Sequence, residues 1–365
     1  MNEIAVRRLR TQRLAGEPFA TVEEVVGWLG AVQSQDYAGA KWALGMRARG
    51  VGDADLDRLF DAGAILRTHV MRPTWHFVLP EDVRWLLELT APRVKALLAH
   101  SDPRLEIDAA LLRRSYAVVE TALRDGTCLT RAELAAELER AGIGAVGQRL
   151  AHLVMHAELD GVVVSGPRRG RQHTYALLAE RAPHARRLAR EEALAELTLR
   201  YFTGHGPAQP RDFAWWSGLT VGDAKRGLDL VGPALTREVL GGKPHWSSPS
   251  PAANPPVAAA GGPAVHLLPN YDELLVAYRD RSAALPPSGT FDVAPFPYGS
   301  ILAHVVVVDG RVWGGWKWRP QRKGVVVELG RLEVLDAPAS AGLERAAADL
   351  ARFLDTTVNI VRPAA

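Results

Sequence analysis

The chain has 365 residues, and 44 basic against 41 acidic side chains leave a formal net charge of only +3. Its 47% hydrophobic residues can bury more than one core, which excludes disorder for most of the chain. The single cysteine, Cys128, excludes an internal disulfide or a multi-cysteine metal site and favours a reducing cytosol. No signal peptide or membrane span is found. The sequence also contains no Walker loop, dinucleotide fingerprint, HExxH motif or nucleophile elbow.

The first predicted module contains helices at Ile4–Leu14, Thr21–Val32 and Asp55–Phe60. Thr21-Val22-Glu23-Glu24 is a capping box, in which a Thr side chain and a Glu three residues later satisfy each other's backbone N–H groups. Residues 64–79, AILRTHVMRPTWHFVL, alternate enough to form a β-hairpin after these helices.

The second and third modules repeat this order of three helices and a hairpin. The second is predicted to have helices at 113–125, after Thr130 and at Val146–Glu158, and strands within 161–178. The third is predicted to have helices at Arg190–Phe202, Pro210–Trp216 and Thr220–Val231, followed by a hairpin within 234–246. This order is typical of a winged helix, whose third helix can enter a DNA groove while its hairpin contacts the backbone.

Residues 247–263 contain five prolines and no charge, which predicts a linker or long loop. After it the pattern changes to strands, with a strong hairpin turn at Asp309-Gly310, and then to an amphipathic helix near Ala339–Leu354 and a final strand-like segment at 356–361. The C-terminal part is therefore predicted to be a small antiparallel barrel or sandwich with one added helix.

Arginine makes up 38 of the 44 basic residues, and its planar fork suits bidentate phosphate recognition. A GC-rich genome would also raise the arginine content. Between Gly166 and Arg190 only one acid, Glu180, accompanies seven arginines: Arg168, Arg169, Arg171, Arg181, Arg186, Arg187 and Arg190. A solvated surface explains any single cluster equally well, but three such modules together indicate a protein that holds a long polyanion.

The segment Gln33-Ser34-Gln35-Asp36 follows the capped helix at the point where its apolar stripe stops. Residues two apart share a side only in extended backbone, so if both amides serve one pocket the backbone must leave the helix there. The alternative is that the glutamines are ordinary polar residues at a helix end.

Four segments, GAVQSQDYAGAKWALGMR, LRTHVMRPTWHFVLPEDVRWLLELTAPRV, LLPNYDELLVAYRDRS and DGRVWGGWKW, resemble the AlkZ/YcaQ family of bacterial winged-helix DNA glycosylases. The resemblance covers essentially the whole chain in the same order. It implies an α+β fold with three tandem winged-helix domains followed by a C-terminal antiparallel β-barrel with a terminal helix. The expected boundaries are 1–100, 101–182 and 183–250 for the winged helices, and 251–365 for the linker and barrel.

The family's functional signature is Gln-x-Gln in its antibiotic-resistance branch and Gln-x-Asp in its broader branch, and Gln33-Ser34-Gln35 matches the first form. The resemblance therefore implies that Gln33 and Gln35 are catalytic in a monofunctional glycosylase for bulky or crosslinked N7-alkylguanine. An N7-alkyl group makes guanine a cationic leaving group that needs no protonation, so two amides that orient water at C1′ can suffice. Asp36 is expected to be structural.

The remaining site predictions concern DNA binding, and each has a structural alternative. Strand alternation places Arg72, Thr74 and His76 on one face, which could line a polar groove or support the hairpin from inside. Arg168, Arg169 and Arg171 lie at a hairpin tip flanked by glycines and are the best phosphate candidates, and Lys317 could reach DNA from the barrel. The tryptophans around Lys317 are expected to pack rather than to stack on bases.

No metal or organic cofactor is expected. His152 and His156 have helical ligand spacing but no clear third ligand, so a place near phosphate or on the surface is preferred. The expected partner is double-stranded DNA containing alkylated purines, bound by a monomer without membrane contact in the cytoplasm, associated with the nucleoid. The main alternative is a winged-helix transcription regulator whose barrel senses a ligand, and a catalytically silent DNA-binding relative is a further one.

Overall fold

The computed structural model describes residues 2–250, 253, 262–286, 302–332 and 335–362, and these form a mixed α+β fold. The α-helices are α1 Glu3–Thr11, α2 Val22–Leu29, α3 Tyr37–Gly45, α4 Asp53–Ala62, α5 Val83–Leu98, α6 Ala109–Leu123, α7 Arg131–Arg140, α8 Gly147–Leu159, α9 Leu178–Arg181, α10 Arg190–Gly204, α11 Pro210–Ser217, α12 Val221–Val231, α13 Glu273–Val276 and α14 Ala337–Phe353.

The strands are β1 Val32–Gln33, β2 Leu66–His69, β3 Trp75–Val78, β4 Leu129–Thr130, β5 Val163–Arg169, β6 Gln172–Leu177, β7 Thr236–Leu240, β8 Lys243–Ser247, β9 Val265–Leu268, β10 Val305–Val308, β11 Arg311–Gln321, β12 Gly324–Leu332 and β13 Val358–Val361. Most of the predicted linker, including residues 254–261, lies outside the described residues.

The chain divides into two compact units. The first unit combines residues 1–56, 195–216 and 220–365, and the second combines residues 57–194 with 217–219. The first is therefore assembled from stretches far apart in the sequence. The predicted partition at residues 100, 182 and 250 follows sequence modules rather than contacts, and it stays a prediction.

Helix starts agree with the capping signals in the sequence. Thr21 caps α2 and Thr130 caps α7, and each forms the full reciprocal capping box with a glutamate three residues later. Thr220 does the same for α12 with an aspartate. Such caps satisfy backbone N–H groups that have no partner within the helix, which is why these three starts could be located from sequence.

The second unit contains a sequence of elements that positions the arginine-rich hairpin. Helices α6, α7 and α8 precede the antiparallel pair β5–β6, and β4 adds to the other edge of β6. One apolar core joins these helices to the hairpin; its buried members include Val119, Leu123, Leu134, Leu138, Leu153, Val154 and Val163. The hairpin tip is thus an extension of a packed body.

The first unit contains a five-stranded sheet in the order β13-β12-β11-β10-β9. The turn at Asp309-Gly310 joins β10 and β11 as predicted, with both residues at positive φ. Two features differ from the predicted antiparallel barrel. The final strand β13 pairs parallel to β12, because α14 carries the chain back before the strand begins, and in the described part of the chain the two edge strands β9 and β13 do not pair with each other.

Helix α3 is absent from the predicted elements. The sequence of this helix is only weakly amphipathic, because its buried residues lie on most sides of it. They are Gly39, Ala40, Lys41, Trp42, Ala43 and Leu44. A helix buried on most sides has no polar stripe to reveal its period. Among the described helices none is both long and apolar enough to span a membrane.

Candidate active site

The Gln33-Ser34-Gln35 motif lies in a break between two helices. Helix α2 ends at Leu29, Gly30 follows with φ of +77°, and the chain is extended at Val32–Gln33 before α3 begins at Tyr37. The expected departure from helical backbone is confirmed. The two glutamines differ in environment, because Gln33 belongs to the short strand and is 6% exposed, whereas Gln35 lies in the following bend and is exposed.

A buried carboxylate holds the backbone of Gln33. The amide nitrogen of Gln33 donates to Oε1 of Glu273 at 3.1 Å. Glu273 is 0% exposed, and its second oxygen accepts from Nε1 of Trp216 at 2.9 Å and lies 3.2 Å from Nε2 of His205. The charge of Glu273 is thus compensated by converging hydrogen bonds, as a buried carboxylate requires.

The residue before Glu273 makes an equally buried contact. Asp272 caps the short helix α13 and accepts two hydrogen bonds from the guanidinium of Arg47, at 2.8 and 2.9 Å. Arg47 is 1% exposed and also donates to the backbone oxygen and the side-chain oxygen of Gln12. Arg47 follows the C-terminal end of α3, so its ion pair with Asp272 fixes the chain just after that helix.

Asp36 has the contacts of a structural residue. One of its oxygens accepts from the backbone of Gly39 at 3.1 Å, which caps α3, and the other accepts from Nδ2 of Asn270 at 3.0 Å. A side chain at Gly39 would place its Cβ 2.8 Å from the Asp36 carboxylate and 3.1 Å from Pro269, so a larger residue would have to displace Asp36. Both carboxylate oxygens therefore have a donor.

His304 is a further polar residue on this side of the unit. It is 7% exposed and packs edge-on against Trp316, with the ring centres 4.8 Å apart. Its Nε2 is buried without a hydrogen-bond partner among the described residues. Burial lowers the pKa of His304, and the nearby carboxylate of Asp36 opposes that shift.

Sequence reasoning missed Asn270, Asp272 and Glu273 as parts of this site. They belong to LLPNYDELLVAY, which was noted only for its family resemblance. The available signal was the presence of two adjacent carboxylates in an otherwise apolar run, because charged residues in such a run are buried only when they are paired.

For Arg72 and His76 the predicted strand face does not form. Strand β3 begins at Trp75, and the preceding residues turn, with Met71 at φ of +65° and Pro73 unable to donate a ladder bond. His76 is 0% exposed, and its Nδ1 lies 2.9 Å from the carbonyl of Thr74. This burial favours the interior, hairpin-supporting alternative for His76, whereas Arg72 is only partly buried. The DNA contact of both residues stays a prediction.

The arginine cluster is less free than its sequence suggests. Acids distant in sequence pair with four of its members, giving Arg168–Asp57, Arg169–Glu133, Arg186–Asp82 and Arg187–Glu88. At the hairpin tip, Arg168 also donates its backbone N–H to Asp61, and Arg169 donates to the carbonyl of Cys128. Arg171 is exposed, and no ion pair is found for it within the described residues.

Lys317 is exposed on β11 but forms an ion pair with Glu328, its direct neighbour on β12, at 3.0 Å. Arg319 contacts the same carboxylate. Trp316 is 2% exposed and donates to the carbonyl of Leu268 at 2.8 Å. The expected packing role is confirmed for Trp316.

The histidine pair of α8 lies neither near a phosphate site nor free on the surface, the two places expected from the sequence, but beside a carboxylate. His152 and His156 each contact one oxygen of Asp102, at 3.1 and 3.0 Å. These contacts explain the helical spacing without phosphate. In the described ranges no group of three or more His, Cys, Asp or Glu side chains is placed to hold a metal ion.

Comparison with known proteins identifies the family of the chain and a similar fold. A family model described as DNA glycosylase AlkZ-like matches residues 26–353. The chain is 26% identical over 338 residues to a protein of Streptomyces sahachiroi named interstrand DNA cross-link repair glycosylase, and the match covers 85% of each sequence.

Among solved structures, the fold is similar to that of Streptomyces sahachiroi DNA glycosylase AlkZ. The TM-score is 0.79 at 23% identity, and the superposition covers 99% of both chains. At this identity the likeness establishes the mixed α+β fold.

Proposed function

The chain belongs to the AlkZ-like DNA glycosylase family and is a DNA glycosylase that hydrolyses N-glycosyl bonds, and from this premise we propose that its substrate is bulky or crosslinked N7-alkylguanine in double-stranded DNA. The observation that carries this proposal is the Gln33-Ser34-Gln35 segment, held in extended backbone between two helices with Gln33 anchored to a buried carboxylate. The relative named as a cross-link repair glycosylase adds support for crosslinks as substrates.

In the proposed chemistry, Gln33 and Gln35 bind and orient the water that attacks C1′. An N7-alkylated guanine leaves with its electrons and needs no general acid, so the enzyme must orient water at C1′ and stabilise positive charge on the sugar. A side-chain amide can accept a hydrogen bond from that water and align it. Asp36 has a donor on each oxygen and serves α3, which supports the amides rather than this carboxylate as the water-binding groups.

We propose that three winged helices hold the DNA and that residues 251–365 form a barrel-like domain. The order α6, α7, α8, β5, β6 and the order α10, α11, α12, β7, β8 both support winged helices. Arg171 is the strongest phosphate candidate because it is exposed and unpaired among the described residues; Arg72, Arg168, Arg169 and Lys317 are weaker candidates.

The test measures release of N7-methylguanine from a duplex oligonucleotide with excess enzyme. We expect release by the wild type, and Gln33→Ala or Gln35→Ala should slow it by about 100-fold or more, since orientation of the attacking group supplies a large part of such rate enhancements. Gln321→Ala, at an exposed glutamine on β11, is the matched control and should retain the wild-type rate.

A second substrate, a duplex crosslinked by a nitrogen mustard, tests the crosslink part of the proposal. We expect the enzyme to cut the link between the strands, so that the two strands run separately on a denaturing gel. If neither substrate releases a base, the substrate proposal is wrong and a DNA-binding role, as in a regulator or silent relative, is the better explanation. A monomeric state and a cytoplasmic, nucleoid-associated location stay predictions.

A further inference from the structure

Residues 270–273, Asn-Tyr-Asp-Glu, contact the proposed catalytic segment, Gln33–Asp36, at two places and the chain after α3 at a third, although about 240 residues separate them in sequence. Glu273 accepts from the backbone of Gln33, and Asn270 donates to Asp36. Asp272 binds Arg47, which follows α3. The segment 33–36 is therefore held at its first residue, at its last residue and beyond the helix that follows it.

Resting on the proposed function, we propose that Glu273 and Asn270 are positioning residues that fix the two ends of the Gln33–Asp36 segment in the geometry needed for hydrolysis. Neither residue acts on substrate. Each acts through the backbone or cap that carries the catalytic amides.

The environment of Glu273 supports this role over that of an ordinary core residue. Removing a carboxylate from water is costly, and an apolar residue of similar size would fill the same volume at less cost. Two of its donors, Trp216 and His205, belong to the surrounding core, whereas the third is the backbone of Gln33 itself. A carboxylate can accept from all three donors at once, which a neutral amide cannot do without turning its NH2 group toward one of them.

The backbone of the segment 270–273 is also strained. Tyr271 has φ of +60°, in the left-handed region that a bulky aromatic residue rarely adopts. Its backbone N–H donates to the carbonyl of Leu302 at 2.9 Å, which holds this conformation. Strain of this kind persists where the surrounding structure requires it and concentrates near functional sites. Here it lies between Asn270 and Asp272, which reach Asp36 and Arg47.

The experiment compares Glu273→Gln with Glu158→Gln, a matched control in the second unit. Glu158 is also 0% exposed and also contacts one histidine, His69, and one tryptophan, Trp75, and neither of these partners belongs to the segment 33–36. Both changes replace a buried carboxylate by an amide, so both should lower stability. Only Glu273→Gln should alter the catalytic segment.

Three quantities are measured for each full-length variant: the single-turnover rate of N7-methylguanine release at saturating enzyme, the Kd for unmodified duplex, and hydrogen exchange in a peptide covering Gln33. For Glu273→Gln we expect a rate loss of about tenfold to hundredfold, an unchanged Kd and faster exchange at Gln33. Glu158→Gln should keep the wild-type rate per folded molecule and wild-type exchange at Gln33.

A wild-type rate and wild-type exchange in Glu273→Gln would overturn the proposal, and so would an equal rate loss in Glu158→Gln. If Glu273→Gln does not fold, Asn270→Ala decides, because Asn270 is only partly buried and the change removes one contact to Asp36. About a tenfold loss at unchanged Kd supports the proposal, and a wild-type rate contradicts it. If the wild type releases no base, the substrate proposal fails, and hydrogen exchange at Gln33 still tests the positioning.

Discussion

At the scale of single residues, the arginine-rich hairpin contains side chains with different roles. Arg168 is 18% exposed and is bound to Asp57, with its backbone tied to Asp61, so it holds the hairpin to the body of its unit. Arg171 is exposed at the tip with no ion pair among the described residues. The distinction comes from acids distant in sequence, which a count over residues 166–190 could not include.

We predict that Arg171→Glu weakens DNA binding and lowers the slope of log Kd against log salt concentration by about 1, because one phosphate contact is lost. Arg113→Glu, an equal charge change at an exposed position on α6, should have a smaller effect on the slope. Fluorescence anisotropy at several salt concentrations measures both. Equal slopes for the two variants would show that Arg171 has no special phosphate contact.

Two histidines of the second unit, the buried His76 and the half-buried His173, predict a pH-dependent stability. Burial, together with Arg67 and Arg168, lowers the pKa of His173 to about 4, and burial and Arg72 lower the pKa of His76 well below its usual value. In the unfolded chain a histidine has a pKa of about 6.5. Between these values the unfolded state binds more protons than the folded state, so stability is present above pH 6.5 and is lost as the pH falls toward 4.

We expect His173→Gln to flatten this pH dependence, since glutamine cannot take up a proton. The measurement is the urea midpoint of the wild type and of His173→Gln between pH 7 and pH 4.5. Parallel curves for the two proteins would assign the pH dependence to other groups.

At the scale of secondary-structure elements, the cap of α3 separates the two possible roles of Asp36. Asparagine caps helices as well as aspartate does, whereas alanine at an N-cap costs about 1 kcal/mol. Asp36→Asn keeps the cap of α3 but removes one acceptor for Asn270, so we predict a loss in the rate of base release no larger than the roughly tenfold loss expected for Asn270→Ala. Asp36→Ala should lower the free energy of unfolding by about 1 kcal/mol. Chemical denaturation and single-turnover kinetics measure the two effects. A rate loss in Asp36→Asn as large as that in Gln33→Ala would identify Asp36 as the base.

Elements whose signal is local could be predicted from the sequence. Thr21, Thr130 and Thr220 start helices through side chains within three residues, and Asp309-Gly310 turns a hairpin by its own backbone preference. Helix α3 could not be predicted, because packing on most sides removes its amphipathic period.

The active-site prediction divides in the same way. Gln33 and Gln35 were identified by a short motif with a family resemblance, and the break in the helix there follows from Gly30 and the Asp36 cap. The role of Glu273 depends on a contact across about 240 residues, which no local pattern contains. The burial of His76 could not be predicted either, because alternation along a strand does not say which of its faces is covered.

At the scale of the whole molecule, the first unit cannot be completed by its N-terminal residues alone. Leu9 and Leu14 of the α1 region share one core with Leu268, Val305 and Val312. Arg47, which is almost fully buried, has Asp272 as its carboxylate partner. Breaking a buried ion pair by removing one member costs roughly 3–5 kcal/mol.

We predict that a truncated chain ending at residue 250 loses the fold around the catalytic segment and releases no base, even though it contains all three proposed winged helices. Hydrogen exchange should be fast within residues 22–45 and remain slow within 109–177, whose core lies in the second unit. The full-length wild type is the reference. Protection of residues 22–45 in the truncated chain would instead favour an independent first winged helix.

The distance along the chain between Gln33 and Glu273 also sets when the proposed site can be completed during synthesis. At about 5–20 residues per second, a ribosome needs roughly 12 to 48 s to add the 240 residues between them. Until then the strand that carries Gln33 lacks its carboxylate, and Arg47 lacks its partner. The nascent chain can therefore fold its second unit early, whereas the proposed site at Gln33 is complete only after Glu273 has been added.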